Sequence, residues 1–121
     1  MTRAVFLDAL GTLVELEPPW VALREWIPAE VSDERLVAAV RVEMGYYREH
    51  AHEGRDADSL ADLRERSARV LSRELELDVS ADQLVESVRM TAYPDAGPAL
   101  TALRGRGLRL AAVSNWDCSL G

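Results

Sequence analysis

Two apolar runs in this sequence end in groups able to do chemistry. Val5-Phe-Leu ends in Asp8, followed by Ala9-Leu10-Gly11-Thr12, and Leu108-Arg-Leu-Ala-Ala-Val113 ends in Ser114-Asn115-Trp116-Asp117. These groups would set a carboxylate facing hydrogen-bond donors: the Thr12 and Ser114 hydroxyls, the Asn115 amide and the N–H groups near Leu10 and Gly11. They can share one pocket if the two runs are neighbouring parallel strands. The carboxyl ends of such strands lie on one edge, about 4.8 Å apart, where open α/β sheets bind ligands. Every basic side chain is Arg and there is no Lys, so no lysine-dependent mechanism can be completed within these residues.

The elements that must position these groups are legible in outline. An apolar run rich in strand formers suits a strand buried on both faces, as in a parallel sheet. Between the two runs the pattern is helical. Pro18-Pro19 can open a helix through Trp20 to Trp26, closed by Pro28. Ser32 with Asp33 and Glu34 caps the start of a long helix striped by Leu36, Val40, Met44 and Tyr47. After a loop at Gly54–Asp58, Ser59 and Asp62 predict a capping box for a helix carrying Leu60, Leu63, Ser67, Val70 and Leu71. Ser80 and Gln83 predict another box, ahead of Leu84, Val85 and Val88. Tyr93–Gly97 reads as a turn, Pro98 as a helix start, and Gly105 and Gly107 as caps before the second strand. Strands embedded in helices imply an α/β domain. A plain crossover needs about 30 residues in all, so residues 16–91 are expected to form an all-helical insert over one end of a core built from residues 1–15 and 92–121.

Composition sets limits on function. The 121 residues carry 14 basic and 21 acidic side chains, for a net charge of −7. An acidic surface repels phosphate backbones, so no nucleic-acid partner is expected. No apolar run approaches the ~20 residues that span a bilayer, so no membrane partner is expected and the location is read as cytoplasmic. Cys118 is alone, which excludes an internal disulfide and a cysteine zinc site.

Val5-Phe-Leu-Asp-Ala-Leu-Gly-Thr-Leu13 resembles motif I of the haloacid dehalogenase (HAD) superfamily, and Leu110-Ala-Ala-Val-Ser-Asn115 resembles its motif II. The helical insert between them is similar to the C1 cap of many members, and Tyr93-Pro94 with Gly97 is similar to the segment before motif II. The resemblance implies a HAD-like Rossmannoid core, an incomplete parallel sheet, with a helical cap. It implies Asp8 as the nucleophile, with Thr12, Ser114 and Asn115 in the catalytic site. The backbone at Leu10 and Gly11, with Arg41 and Trp116, would contact a small anionic substrate, a phosphate ester or a haloacid. For Arg41 and Trp116 a solvated side chain and a loop anchor are the alternatives.

Two departures from the family pattern bear on the reaction. Family phosphatases carry a second Asp two residues after the nucleophile, where this chain has Leu10; general acid catalysis typically contributes ~10²–10⁴ in rate. Halide departure needs no proton, and the dehalogenases of the family also lack that Asp. Motif III, a Lys or Arg, and the motif IV acids normally follow motif II, and the residues after Asn115 do not supply them. A Mg²⁺ ion would have Asp8 and the Leu10 carbonyl alone, short of an octahedral shell; a dehalogenase-like reaction would need no cofactor. The expectation is a truncated product or an incomplete sequence, with self-association through exposed sheet edges open to it. The rival readings are a non-catalytic remnant that keeps the anion pocket and an interaction module completed by another chain.

Overall fold

The computed structural model describes residues 3–112. Within them the chain divides into two compact units, residues 3–17 with 90–112, and residues 18–89.

The first unit carries strands β1 (Ala4–Leu7), β2 (Val14–Leu16), β3 (Met90–Ala92) and β4 (Arg109–Ala112), with one helix, Ala96–Gly105, before β4. β1 pairs with β4 in parallel, in the register Ala4↔Arg109 through Leu7↔Ala112. β2 pairs with β3 antiparallel, Val14 opposite Ala92 and Leu16 opposite Met90. The sequence reading had no strands at 14–16 or 90–92. Each is three residues long, too short for an alternation to register, and Glu15 interrupts the first.

The expected burial of β1 on both faces is corrected. Val5 and Leu7 are half-buried, but Phe6 is 72% exposed. Alternate side chains of a strand point to opposite faces. The described residues supply one neighbouring strand and a helix over the Leu7 and Leu110 side, so the Phe6 side stays open.

The second unit is helical. Its helices are α1 (Pro19–Leu23), α2 (Asp33–His50), α3 (Ala57–Leu75) and α4 (Ala81–Glu86), with a 3-10 turn at Ala51–Glu53; the first unit's helix is α5. Pro19 in the first turn of α1 has no N–H to leave unpaired. Ser32 accepts the Arg35 N–H at the start of α2, with Asp33 and Glu34 favourably placed against the helix dipole. Ser80 and Gln83 form the expected box on α4. The box expected from Ser59 and Asp62 lies one turn earlier. Asp56 accepts the Ser59 N–H at 2.8 Å while Ser59 Oγ accepts the Asp56 N–H at 3.0 Å. Ser59 is thus the third residue of the box, and Asp is the stronger cap because its carboxylate also meets the positive end of the helix.

α5 begins at Ala96, two residues before Pro98, because proline tolerates any place in a first turn. It ends at Gly105, and Gly107 (φ +74°) turns the chain toward β4.

The core belongs to the second unit. Leu23, Leu36, Val40, Leu71 and Leu75 are at most 1% exposed and cluster with Ile27, Val31, Ala39, Ala68, Val79 and Leu84. Trp20 and Trp26 pack on its margin. Among the described residues of the first unit, Ala96 is the single buried apolar side chain.

Candidate functional site

Asp8 is the first residue beyond β1, on the carboxyl edge of the β1–β4 pair. The chain after it is held in a tight turn. The Ala9 carbonyl accepts the N–H groups of Thr12 (3.3 Å), Leu13 (2.8 Å) and Val14 (3.0 Å), and Gly11 donates its N–H to the Val14 carbonyl at 2.9 Å. Gly11 sits at φ +82°, a conformation that side-chain-bearing residues rarely adopt. The Tyr93 N–H donates to the Leu13 carbonyl at 2.9 Å, tying the end of this turn to the segment after β3. Asp8, Gly11 and Thr12 are exposed and Leu10 is half-buried. Among the described residues the Asp8 carboxylate has neither an ion pair nor a hydrogen bond, which leaves it available to a ligand.

A cavity of about 320 Å³ lies nearby in the same unit, lined by Leu7, Leu13, Leu100, Thr101, Arg104, Leu110, Ala111 and Ala112. Its lining is mostly aliphatic and includes neither Asp8 nor Thr12, so the candidate chemistry is on the turn rather than in this cavity.

The parallel pairing of β1 with β4 is the arrangement the candidate pocket requires. Ser114, Asn115 and Trp116 lie outside the described residues. The structure therefore brings together Asp8, Leu10, Gly11 and Thr12 on one turn. Arg41 belongs to the other unit, exposed on α2 along a shallow groove with Asp33, Glu34, Val37 and Ala38. The Gly11 N–H, expected to face a ligand, is used inside the turn by Val14.

Among the described residues the donors do not complete a Mg²⁺ site. No cluster of three or more His, Cys, Asp or Glu side chains suited to a metal exists among the described residues. Asp8 with one backbone carbonyl falls well short of the oxygen shell that Mg²⁺ demands.

Tyr46 stacks on His50, with ring centroids 4.2 Å apart. Its hydroxyl accepts Arg66 Nη1 at 3.0 Å, and Arg66 also binds Glu53 and Asp62 at 2.9 Å each. The Arg66 guanidinium holds the Glu53 carboxyl below the usual carboxylate range. This node joins α2, the 3-10 turn and α3.

Sequence reasoning passed over Glu43. It is 6% exposed, on the side of α2 that buries Leu36, Ala39 and Val40. The signal was present, since Glu43 stands seven residues after Leu36 and three after Val40, inside the apolar stripe. Burial pushes its carboxyl up to about 7.

No helix among the described residues is long and apolar enough to cross a membrane. No protein-family model and no curated protein matches the sequence. Solved structures do. An L-2-haloacid dehalogenase is 24% identical, with a TM-score of 0.60, over 98% of this chain and 55% of its own. The L-2-haloacid dehalogenase of Xanthobacter autotrophicus is 29% identical, with a TM-score of 0.56, over 99% of this chain and 49% of its own. A further dehalogenase is 23% identical, with a TM-score of 0.54, over 96% and 52%. The chain thus spans about half the length of the structures it matches.

Proposed function

This chain has the fold of the haloacid dehalogenase superfamily hydrolases, and from that premise we propose that it carries the nucleophile half of a dehalogenase-type site acting on a small 2-haloacid. The observation that carries the reading is the Asp8 turn. An exposed carboxylate stands at the carboxyl end of a parallel strand pair, and the residue two positions on is Leu10, which has no proton to give. A leaving alcohol needs that proton; a leaving halide does not.

In the proposed reaction one Asp8 carboxylate oxygen attacks the halogen-bearing carbon. The new C–O bond forms as the carbon–halogen bond breaks, and halide departs with the electron pair. Water then adds to the Asp8 carboxyl carbon, the acyl C–O bond breaks, and the hydroxy acid and a proton are released. The Thr12 and Ser114 hydroxyls and the Asn115 amide would hold the anionic substrate. The helical residues 18–89 take the role of the cap.

The test is halide and acid release from 2-chloropropionate, with p-nitrophenyl phosphate as comparator, each with added Mg²⁺ and with EDTA. Metal-independent halide release that falls by at least ~10³-fold in Asp8→Asn, the scale expected when a covalent nucleophile is removed, supports the proposal. Phosphate release that requires Mg²⁺, without halide release, would refute it.

A further inference from the structure

The α2–α3 interface buries an acid in apolar surroundings. Glu43 is 6% exposed on the stripe formed by Leu36, Ala39 and Val40, and Ser67 is fully buried on the α3 stripe formed by Leu60, Leu63, Ala68 and Leu71. The Ser67 hydroxyl has no well-formed hydrogen bond, yet it faces Glu43 closely enough to oppose the effect of burial on that carboxyl. An unpaired carboxylate in such an interface loses its hydration without repayment, whereas a neutral carboxylic acid fits and can donate its O–H to a hydroxyl oxygen.

We propose that this interface is a pH-gated joint of the helical unit, packed while Glu43 is a neutral acid and loosened when Glu43 ionises.

Among the described residues no charged group compensates the carboxylate. α1, packed on α2, contributes no titratable side chain. The 3-10 turn brings His52 and Glu53, and Glu53 is bound by Arg66. On α3, Arg66 is divided among Glu53, Asp62 and the Tyr46 hydroxyl. Asp58, Asp62, Glu65, Arg69, Arg73 and Glu74 are all exposed. On α2 itself Tyr46 and His50 stack on each other, and Tyr47 and the α3 residue Arg64 have interactions of their own. None of these shifts Glu43; burial and Ser67 are the two influences on it.

The direction follows from linkage. The folded carboxyl titrates near 7 and the unfolded one near 4.5. Glu43 therefore favours the packed state fully below about pH 4.5. That contribution is lost as pH rises to about 7, and above 7 there is no further loss.

The test is hydrogen exchange of α2 and α3 amides in the full chain from pH 4.5 to 8.5, corrected for intrinsic exchange, alongside ¹³C NMR of the Glu43 carboxyl. The expected opening constant rises by roughly 150-fold across the window, because half of the unfolded carboxyls are already ionised at its lower end, and the carboxyl titrates near 7. Glu43→Gln should abolish the rise, and Ser67→Ala should move its midpoint upward. Should Gln fail to fold, Glu43→Met serves the same purpose. A Glu43 carboxyl titrating near 4.5, or a variant that keeps the wild-type pH dependence, overturns the proposal. None of these readouts depends on catalytic activity.

Discussion

Leu71→Ala should unfold the helical unit more readily than any surface change of similar size. Leu71 is fully buried on α3, in the cluster shared with Leu36, Val40 and Leu75. Truncation removes the transfer free energy of the deleted atoms and leaves a cavity that rigid helices refill only in part. Leu→Ala changes at such sites are destabilising by about 3–5 kcal/mol. For a unit of this size each kcal/mol moves Tm by ~4–8 °C, so a fall of at least about 12 °C is expected. The control is Val42→Ala on α2, where the side chain is 47% exposed; surface changes usually stay within ~0.5 kcal/mol. Urea melts followed by far-UV circular dichroism, which the helices dominate, give both values from one two-state fit. Equal destabilisation by the two variants would refute the assignment of the core to this cluster. So would a Leu71→Ala protein melting within 2 °C of wild type, a margin set by the same conversion.

Other outcomes follow from single contacts. Ser80→Ala removes the hydroxyl that accepts the Gln83 N–H at 3.1 Å and should lower stability by about 1 kcal/mol, read as a lower urea midpoint with an unchanged slope. Glu76 closes α3 at φ 55°, so Glu76→Gly should raise stability by roughly 1 kcal/mol by relieving the left-handed strain; a lower thermal midpoint would contradict this. Asp8→Asn should leave the melting curve close to wild type, because Asp8 is exposed and makes no side-chain bond among the described residues, while the proposed halide release should be lost.

The sequence was most informative where one side chain decides a local structure. Ser32 and Ser80 announce helix starts because a hydroxyl before an apolar stripe has one good use there, accepting an N–H of the first turn. Asp56 and Ser59 show the limit of that logic. Both can cap, and the choice depends on where the 3-10 turn Ala51–Glu53 releases the chain. The place of Asp8 at a strand end was legible, as was the strand beside it, because both runs are apolar and end abruptly in polar groups. The openness around Phe6 was not, since burial depends on what else packs there. Nor was the antiparallel pairing of β2 with β3, whose partners are more than seventy residues apart. Glu43 was overlooked for a related reason: a charged residue in a helix usually faces water, and only the packing of α3 reveals that this one does not.

Leu16 and Met90 occupy one rung of an antiparallel ladder, so the chain departs for residues 18–89 and comes back at points roughly 5 Å apart. A segment spliced in at such a rung puts little tension on its host. Its length can change at small entropic expense, and a different set of helices could be grafted there while the geometry of the Asp8 turn stays as it is. The fold thereby separates what can diversify from what must stay constant: the helices can change with no alteration at the Asp8 turn.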